Sequence, residues 1–352
     1  MTQSQQTRRL FLGVLRPIGM TLMPVIAALV VSGVVLLLVG VNPLSYYGLV
    51  VQSGLLNPYG LQDTITRTGP LMLLGSSLLV SFRAGIWNLG TDGQYLLGSL
   101  AAAVCAPNLV GTMPLPLALV LSMICGSFVG SAWALLPALL RAYQGVNEVI
   151  TSLMMTFLGT GLCAVLIKLC FRDPAKSEPE TLALRFADRL PHMFGTTVSS
   201  GVVFALLVLI ITHLLLVHTS WGLRIQILGA NPSAARHAGF NVNRMTTLVF
   251  VASGALAGLA GATDLVGSLG SLRANWTPDY GMTVVPIVFL SRLNGWTIIV
   301  FIFVFSVLSI GSQNASLLLG VPLYYNLAFV GLLLIFFALI EYLDKRRQLQ
   351  MV

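Results

Sequence analysis

Residues 200–217 read SGVVFALLVLIITHLLLV, a stretch without Asp, Glu, Lys or Arg that is long enough to cross a bilayer as a helix, which takes roughly 18–20 apolar residues. Runs of this kind recur along the chain and constrain its fold more than any other feature. Inside lipid every backbone N–H and C=O must be bonded within the protein, so a spanning segment is a helix or a strand of a closed barrel. The period-two alternation of barrel strands is absent. Composition points the same way, with 56% hydrophobic and 9% charged residues where a soluble domain carries about a quarter charged. The chain therefore reads as an all-α polytopic membrane protein.

Ten spans are expected, at residues 18–40, 68–82, 93–112, 114–140, 148–170, 200–217, 245–267, 281–291, 297–311 and 322–340. The second and eighth are short and contain Gly69, Pro70 and Gly75, or Gly281 and Pro286, so broken or re-entrant helices are expected there. Placing both termini in the cytoplasm puts Arg8, Arg9, Arg16, Arg83, Arg141, Arg224, Arg236, Arg244, Arg292 and Lys345–Arg347 inside and leaves the outer side near neutral, as the positive-inside rule requires. The first run is too long for a signal peptide and lacks a small-x-small cleavage site, so it is expected to stay as a helix. The expected organisation is a cytoplasmic segment 1–17, one transmembrane domain 18–340 and a cytoplasmic tail 341–352. Residues 41–66 read as an external amphipathic segment, 171–199 as an external loop and 218–244 as a cytoplasmic loop.

Several chemistries are excluded or unsupported. Cys105, Cys125, Cys163 and Cys170 lie in or beside apolar runs without ligand spacing, and the histidines are scattered, so no metal site is expected. The formal charge of +8 follows membrane topology, not a nucleic-acid surface. No lysine completes GxxxxGK[ST], so the chain holds no P-loop, and HExxH and GxSxG are also missing.

Four segments carry polarity or special shape. In the cytoplasmic loop, Asn231 suits an N-cap, Pro232 a first helical position and Gly239 a left-handed stop, bounding a two-turn helix beside Arg224, Arg236 and Arg244. Its bare alanines fit close approach by another protein, and the same features fit an ordinary basic loop with an incidental turn. In residues 82–99, FRAGIWNLGTDGQYLLGS, glycines interleave with Trp87, Asn88, Asp92 and Gln94, which fits a pathway lining or a tight hairpin with Asp92 capping the next span. Residues 144–157 begin a span with Asn147 as cap and Glu148 in the first turn, followed by the sparse polar stripe of Thr151, Ser152 and Thr156. In SGALAGLAGA, residues 253–262, Gly254, Gly258 and Gly261 make a small-residue packing face, with Asp264 beyond it expected to be hydrated near the outer end.

Read together, FRAGIWNLGTDGQYLLGS, GVNEVITSLMMTF, WGLRIQILGANPSAARHAGFNVNR, SGALAGLAGA and YGMTVVPIVFLSRLNGW resemble, in order and spacing, the permease subunits of ABC importers for nucleosides, ribose-type sugars and branched-chain amino acids. The resemblance runs from about residue 60 to 340, and the NLGTDGQ and GVNEVI pieces look most like the nucleoside branch. It implies a bacterial inner-membrane permease that forms the translocation pathway and catalyses nothing itself. It implies that residues 221–244 hold a coupling helix docking on a cytoplasmic ABC ATPase, with Arg224, Gly229, Asn231, Pro232, Ala235, Arg236 and Gly239 as coupling residues. ATP and Mg would be bound by that partner, often a fused double ATPase, and this chain would carry no cofactor. A second related permease or a second copy, an extracytoplasmic solute-binding protein and the bilayer are the other implied partners. Candidate pathway residues are Trp87, Asn88, Asp92, Gln94, Asn147, Thr151, Phe157 and Asn275. The chain departs from the family at FLSRLNGW, where Ser291 and Trp296 stand in a turn that is commonly glycine-rich. A proton-coupled secondary transporter is the alternative, and it would need an embedded ionisable residue where Glu148, Asp92, Lys168 and Asp264 sit near predicted span ends.

Overall fold

The computed structural model describes residues 23–193, 195–322 and 325–349. The expected amino-terminal segment 1–17, the start of the first span and the last residues of the tail lie outside them. Among the described residues the regular structure is helical, with isolated bridges and no β-strand. In chain order the helices are α1 (Met23–Leu38), α2 (Pro43–Val51), α3 (Pro58–Arg83), α4 (Thr91–Leu109), α5 (Leu115–Gln144), α6 (Glu148–Leu169), α7 (Gly201–His218), α8 (Ser220–Ala230), α9 (Pro232–His237), α10 (Val242–Asp264), α11 (Tyr280–Leu290), α12 (Gly295–Leu319) and α13 (Tyr325–Leu349). A π-helical turn follows α2 at Gln52–Leu56, and another extends α10 over Leu265–Leu269.

Among the described residues, six helices are long and apolar enough to cross a membrane: α3, α5, α6, α7, α10 with its π turn, and α12. The pair α1 and α2, bent by 120° at the break between them, is a seventh candidate. The protein is a multi-pass helical membrane protein. Two expectations are corrected. Residues 41–66 are not one separate segment, because they form α2, the π turn and the first part of the long helix α3. The second span is not broken either: α3 runs uninterrupted through Pro70. Hydropathy clips this helix because its first turns carry Gln62, Asp63, Thr64, Thr66 and Arg67, yet 83% of its most apolar window is buried by protein, so polar groups find partners that lipid would not supply. The eighth expected span is indeed short, the 11-residue α11 with Pro286 inside it.

The chain forms two compact units. One contains residues up to Leu61, Phe289–Ser291 and the chain from Val307 onward. Here the Tyr47 hydroxyl donates to Leu29 O at 2.8 Å, Tyr325 donates to Ser32 O at 2.9 Å, and the Tyr46 ring stands edge-on to Tyr325 at 5.2 Å. Gly54 approaches α12 so closely that a Cβ would come within 2.6 Å of Val307 O.

The second unit contains Gln62–Val288 and Arg292–Ser306, and α10 is its centre. Gly254 and Gly258 of α10 lie against Gly126, Gly130 and Ala134 of α5, and Gly261 lies against Tyr95 and Ser99 of α4. A Cβ on Gly258 would come within 2.8 Å of Gly130 Cα, so the backbones are in van der Waals contact. Without water to drive association, such close approach supplies the dispersion contacts that hold membrane helices together.

Candidate functional site

After α3 the chain turns through Gly85, whose φ of +68° is left-handed, and packs there against Gly229 of α8. Residues 86–90 then run back into the bundle. Asn88 is fully buried: its Nδ2 donates to Gln94 Oε1 at 3.0 Å and to Ser253 Oγ at 2.9 Å, while its Oδ1 accepts from Gln94 Nε2 and Gly90 N, each at 3.1 Å. The Ser77 and Ser253 hydroxyls meet at 2.9 Å, and Leu89 is tied to α6 through Ser152 Oγ (3.1 Å) and Thr156 Oγ1 (3.0 Å). Ser253 lies roughly 16 Å along α10 from Val242, at about 1.5 Å per residue, so this knot is deep inside the bundle.

The start of α4 is consequently buried, and so is the start of α11. Asp92, in the first turn of α4, does not cap its own helix. Its carboxylate accepts from Gly281 N at 2.6 Å and Met282 N at 3.1 Å, capping α11. One turn on, the Tyr95 hydroxyl donates to Asp264 Oδ2 at 2.5 Å. Asp264 is only 6% exposed, which corrects the expectation that it is hydrated; the carboxyl-terminal end of α10 is covered by α4 and by protein beyond it. Tyr95, Trp276 and Tyr280 form a ring cluster with centroids 5.6–6.2 Å apart, and the Arg67 guanidinium sits 5.3 Å from the Tyr280 centroid.

The loop 171–199 is stapled over this region. Thr181 N, Leu184 N and Leu190 N donate to Leu272, Gly270 and Val266 carbonyls at 2.8–3.0 Å, and Glu180 pairs with Lys176 at 2.7 Å and Arg273 at 3.5 Å. That carboxylate holds the Lys176 ammonium above its ordinary pKa, and burial raises the Asp279 carboxyl above its own.

On the opposite flank, residues 218–244 are not a loose loop. Thr219 caps α8, and Asn231 Oδ1 accepts from Ser233 N at 3.0 Å and Ala234 N at 3.1 Å to start α9. Pro232 holds the first helical position and Gly239, at φ +83°, ends the turn. Ala235 is fully buried against the protein while Arg236 and His237 are exposed, so α9 presents its basic face outward. The Arg224 guanidinium lies 5.6 Å over the Phe240 ring, joining α8 to the segment after α9. Gly229 meets the backbone of Arg83, Ala84 and Gly85.

The remaining candidates are dispersed. Asn147 caps α6, accepting from Val149 N at 2.9 Å, and the Thr151 hydroxyl returns to Asn147 O. Glu148 pairs with Arg141 at 3.1 Å. Trp87 lies against Phe82 with centroids 5.2 Å apart; Phe157 and Asn275 are exposed. Asn88 and Gln94 thus come together while Asp92 turns to α11, and Asn147, Thr151, Phe157 and Asn275 do not join them. The sequence reading missed Arg67, Tyr95, Trp276 and Tyr280, since tyrosines and tryptophans near span ends are ordinary interfacial residues until their partners are known. At the unusual FLSRLNGW turn, Arg292 and Leu293 adopt φ of +52° and +58°, and Arg83 Nη2 donates to Leu293 O at 2.8 Å. Gly295 N donates to His213 Nδ1 at 3.2 Å. Among the described residues no three His, Cys, Asp or Glu side chains are grouped to hold a metal.

The family described as branched-chain amino acid transport system / permease component matches residues 60–338. The glucose ABC transporter permease protein TsgB13 of Haloferax volcanii is 31% identical over 94% of this chain and 89% of its own length. The nucleoside ABC transporter permease protein NupB of Lactococcus lactis is 28% identical over 70% of each chain. The guanosine ABC transporter permease protein NupP of Bacillus subtilis is 25% identical over 86% of this chain and 87% of its own. No solved structure matches.

Proposed function

The chain belongs to the branched-chain amino acid transport system permease family, its role is that of an ABC transporter permease, and we propose that the solute it imports is a nucleoside. The observation that carries this reading is the likeness of most of the chain to two permeases named for nucleosides. A sugar is the second reading, favoured by the glucose permease at 31% identity. ATP and Mg act on a separate cytoplasmic ATPase, fused double or not, and a solute-binding protein delivers from outside. A second permease, related or identical, completes the pathway in a bacterial inner membrane.

In this reading the protein crosses ten times with both termini in the cytoplasm, and 18–340 works as one transport domain. The basic face of α9 docks on the ATPase. Arg224, Gly229, Asn231, Pro232, Ala235, Arg236 and Gly239 shape and anchor that helix, and the contact of Gly229, at the end of α8, with Gly85 offers a route from it to the turn before α4. Trp87, Asn88, Asp92 and Gln94 line the pathway, with Asn147, Thr151 and Phe157 along α6 and Asn275 at its outer end. Two buried helix starts facing each other beneath the outer surface are what a solute site between broken helices requires. The geometry suits alternating access, in which rigid helices pass a motion of α9 to that turn. The test is co-purification of an ATPase followed by uptake of labelled guanosine. Uptake that needs ATP and is lost in Arg236→Glu, with hydrolysis retained, is expected; uptake driven by a proton gradient alone overturns it.

A further inference from the structure

Four separate pieces of chain meet in one cluster that contains a buried carboxylate. Tyr95 comes from α4, Asp264 from the junction of α10 with its π turn, Trp276 from the loop beyond and Tyr280 from the first residue of α11. Arg67 of α3 flanks the group. A carboxylate 6% exposed is costly to keep inside a membrane protein, and an apolar side chain would pack the same helices at lower cost. The hydroxyl of Ser99, one turn after Tyr95 and against Gly261, is buried without a hydrogen-bond partner among the described residues. Such a group costs about 1–3 kcal/mol, so helix packing alone accounts poorly for this polar cluster. The π turn that begins immediately after Asp264 is a further mark, because such turns concentrate at functional sites.

The chemistry is specific. A carboxylate can accept from two adjacent hydroxyls at once, as acidic residues do with ribose, and aromatic faces cover the C–H surface of a sugar ring or stack on a base. Resting on the transport reading above, we propose that Asp264, with the Tyr95, Trp276 and Tyr280 rings, recognises the vicinal hydroxyls of the passing solute, the group that ribonucleosides and aldoses share. In the described arrangement the Tyr95 hydroxyl occupies Asp264. Withdrawal of the Tyr95 hydroxyl frees that carboxylate oxygen while the Ser268 side chain stays bonded to Asp264, and the solute hydroxyls take the place of the phenol.

The test uses the complete transporter in proteoliposomes and compares maximal uptake rates, which follow delivery, for guanosine against 2′-deoxyguanosine and for glucose against its 2-, 3- and 4-deoxy forms. Whichever hydroxylated solute is carried, Asp264→Asn is expected to lower its rate over the deoxy form by about ten- to hundredfold, the range set by a hydrogen bond to a charged group. Trp276→Ala, at a half-exposed position, is expected to lower the maximal rate for both forms about tenfold through lost stacking, and it carries the test if the Asp264 variant does not assemble. Uptake of guanosine or glucose with the rate ratio unaltered in Asp264→Asn, or with rates unaltered in Trp276→Ala, overturns the site and leaves the transport reading standing. Failure of the unmodified transporter to carry either solute overturns both.

Discussion

The Asp92 carboxylate, on the first turn of one buried helix, accepts the backbone N–H of Gly281 at the start of another, at 2.6 Å. The two residues are 189 positions apart, and their contact joins α4 to α11 at a point without solvent. Replacing Asp92 with Ala leaves the Gly281 and Met282 donors unpaired, at about 1–3 kcal/mol each. Asp92→Ala is expected to lower the melting temperature of the purified protein markedly and Asp92→Asn less, because one carbonyl oxygen still accepts. Equal melting of all three proteins would show that the cap contributes nothing.

Gly258 and Gly161 offer a paired measurement. A Cβ at Gly258 meets Gly126 and Gly130 backbone, whereas one at Gly161 meets nothing within 4 Å. Gly258→Ala should destabilise by roughly 1–3 kcal/mol, as overpacked interiors do, and Gly161→Ala should stabilise by roughly 0.4–1 kcal/mol through lower unfolded-state entropy. Thermal unfolding of both variants in one detergent reads the difference in sign directly.

At the turn after α11, two residues with side chains hold left-handed backbone where glycine would be unstrained. Leu293→Gly should therefore raise stability by about 1 kcal/mol. Arg83→Ala removes the guanidinium bonds to Leu293 O at 2.8 and 3.2 Å and should lower it by roughly 1.5–3 kcal/mol. Unfolding curves that move in the same direction for both variants would contradict this account of the turn.

The short helix α9 depends on its cap more than a long helix would. Asn231→Ala removes the acceptor for Ser233 N and Ala234 N, at about 1 kcal/mol, in a segment only 6 residues long. The expected result is a small loss of overall stability and a several-fold fall in solute carried per ATP hydrolysed. A transport stoichiometry equal to that of the unmodified protein would argue against α9 as the coupling element.

Much of this arrangement is legible along the chain. The run at 200–217, the cap-to-stop grammar of Asn231, Pro232 and Gly239 and the glycine spacing of 253–262 are local signals, and the helices they specify are there. Hydropathy falters at α3 and α4. The first turns of α3 are polar and the first turns of α4 carry Asp92 and Gln94, yet both helices are largely enclosed by protein. A scale calibrated for lipid cannot credit a carboxylate whose donors come from a distant helix.

The sequence by itself determined that the chain is helical and membrane-spanning, that it lacks a phosphate loop and where the basic segment 218–244 breaks into a capped helix, because each of these depends on neighbours within a few turns. Only the tertiary structure decided that Asp264 is buried on Tyr95, that Asp92 caps α11 and not its own helix, and that Arg83 holds the Leu293 turn. These contacts join residues 169, 189 and 210 positions apart, and nothing in either partner's local pattern says which distant donor or acceptor its side chain will meet.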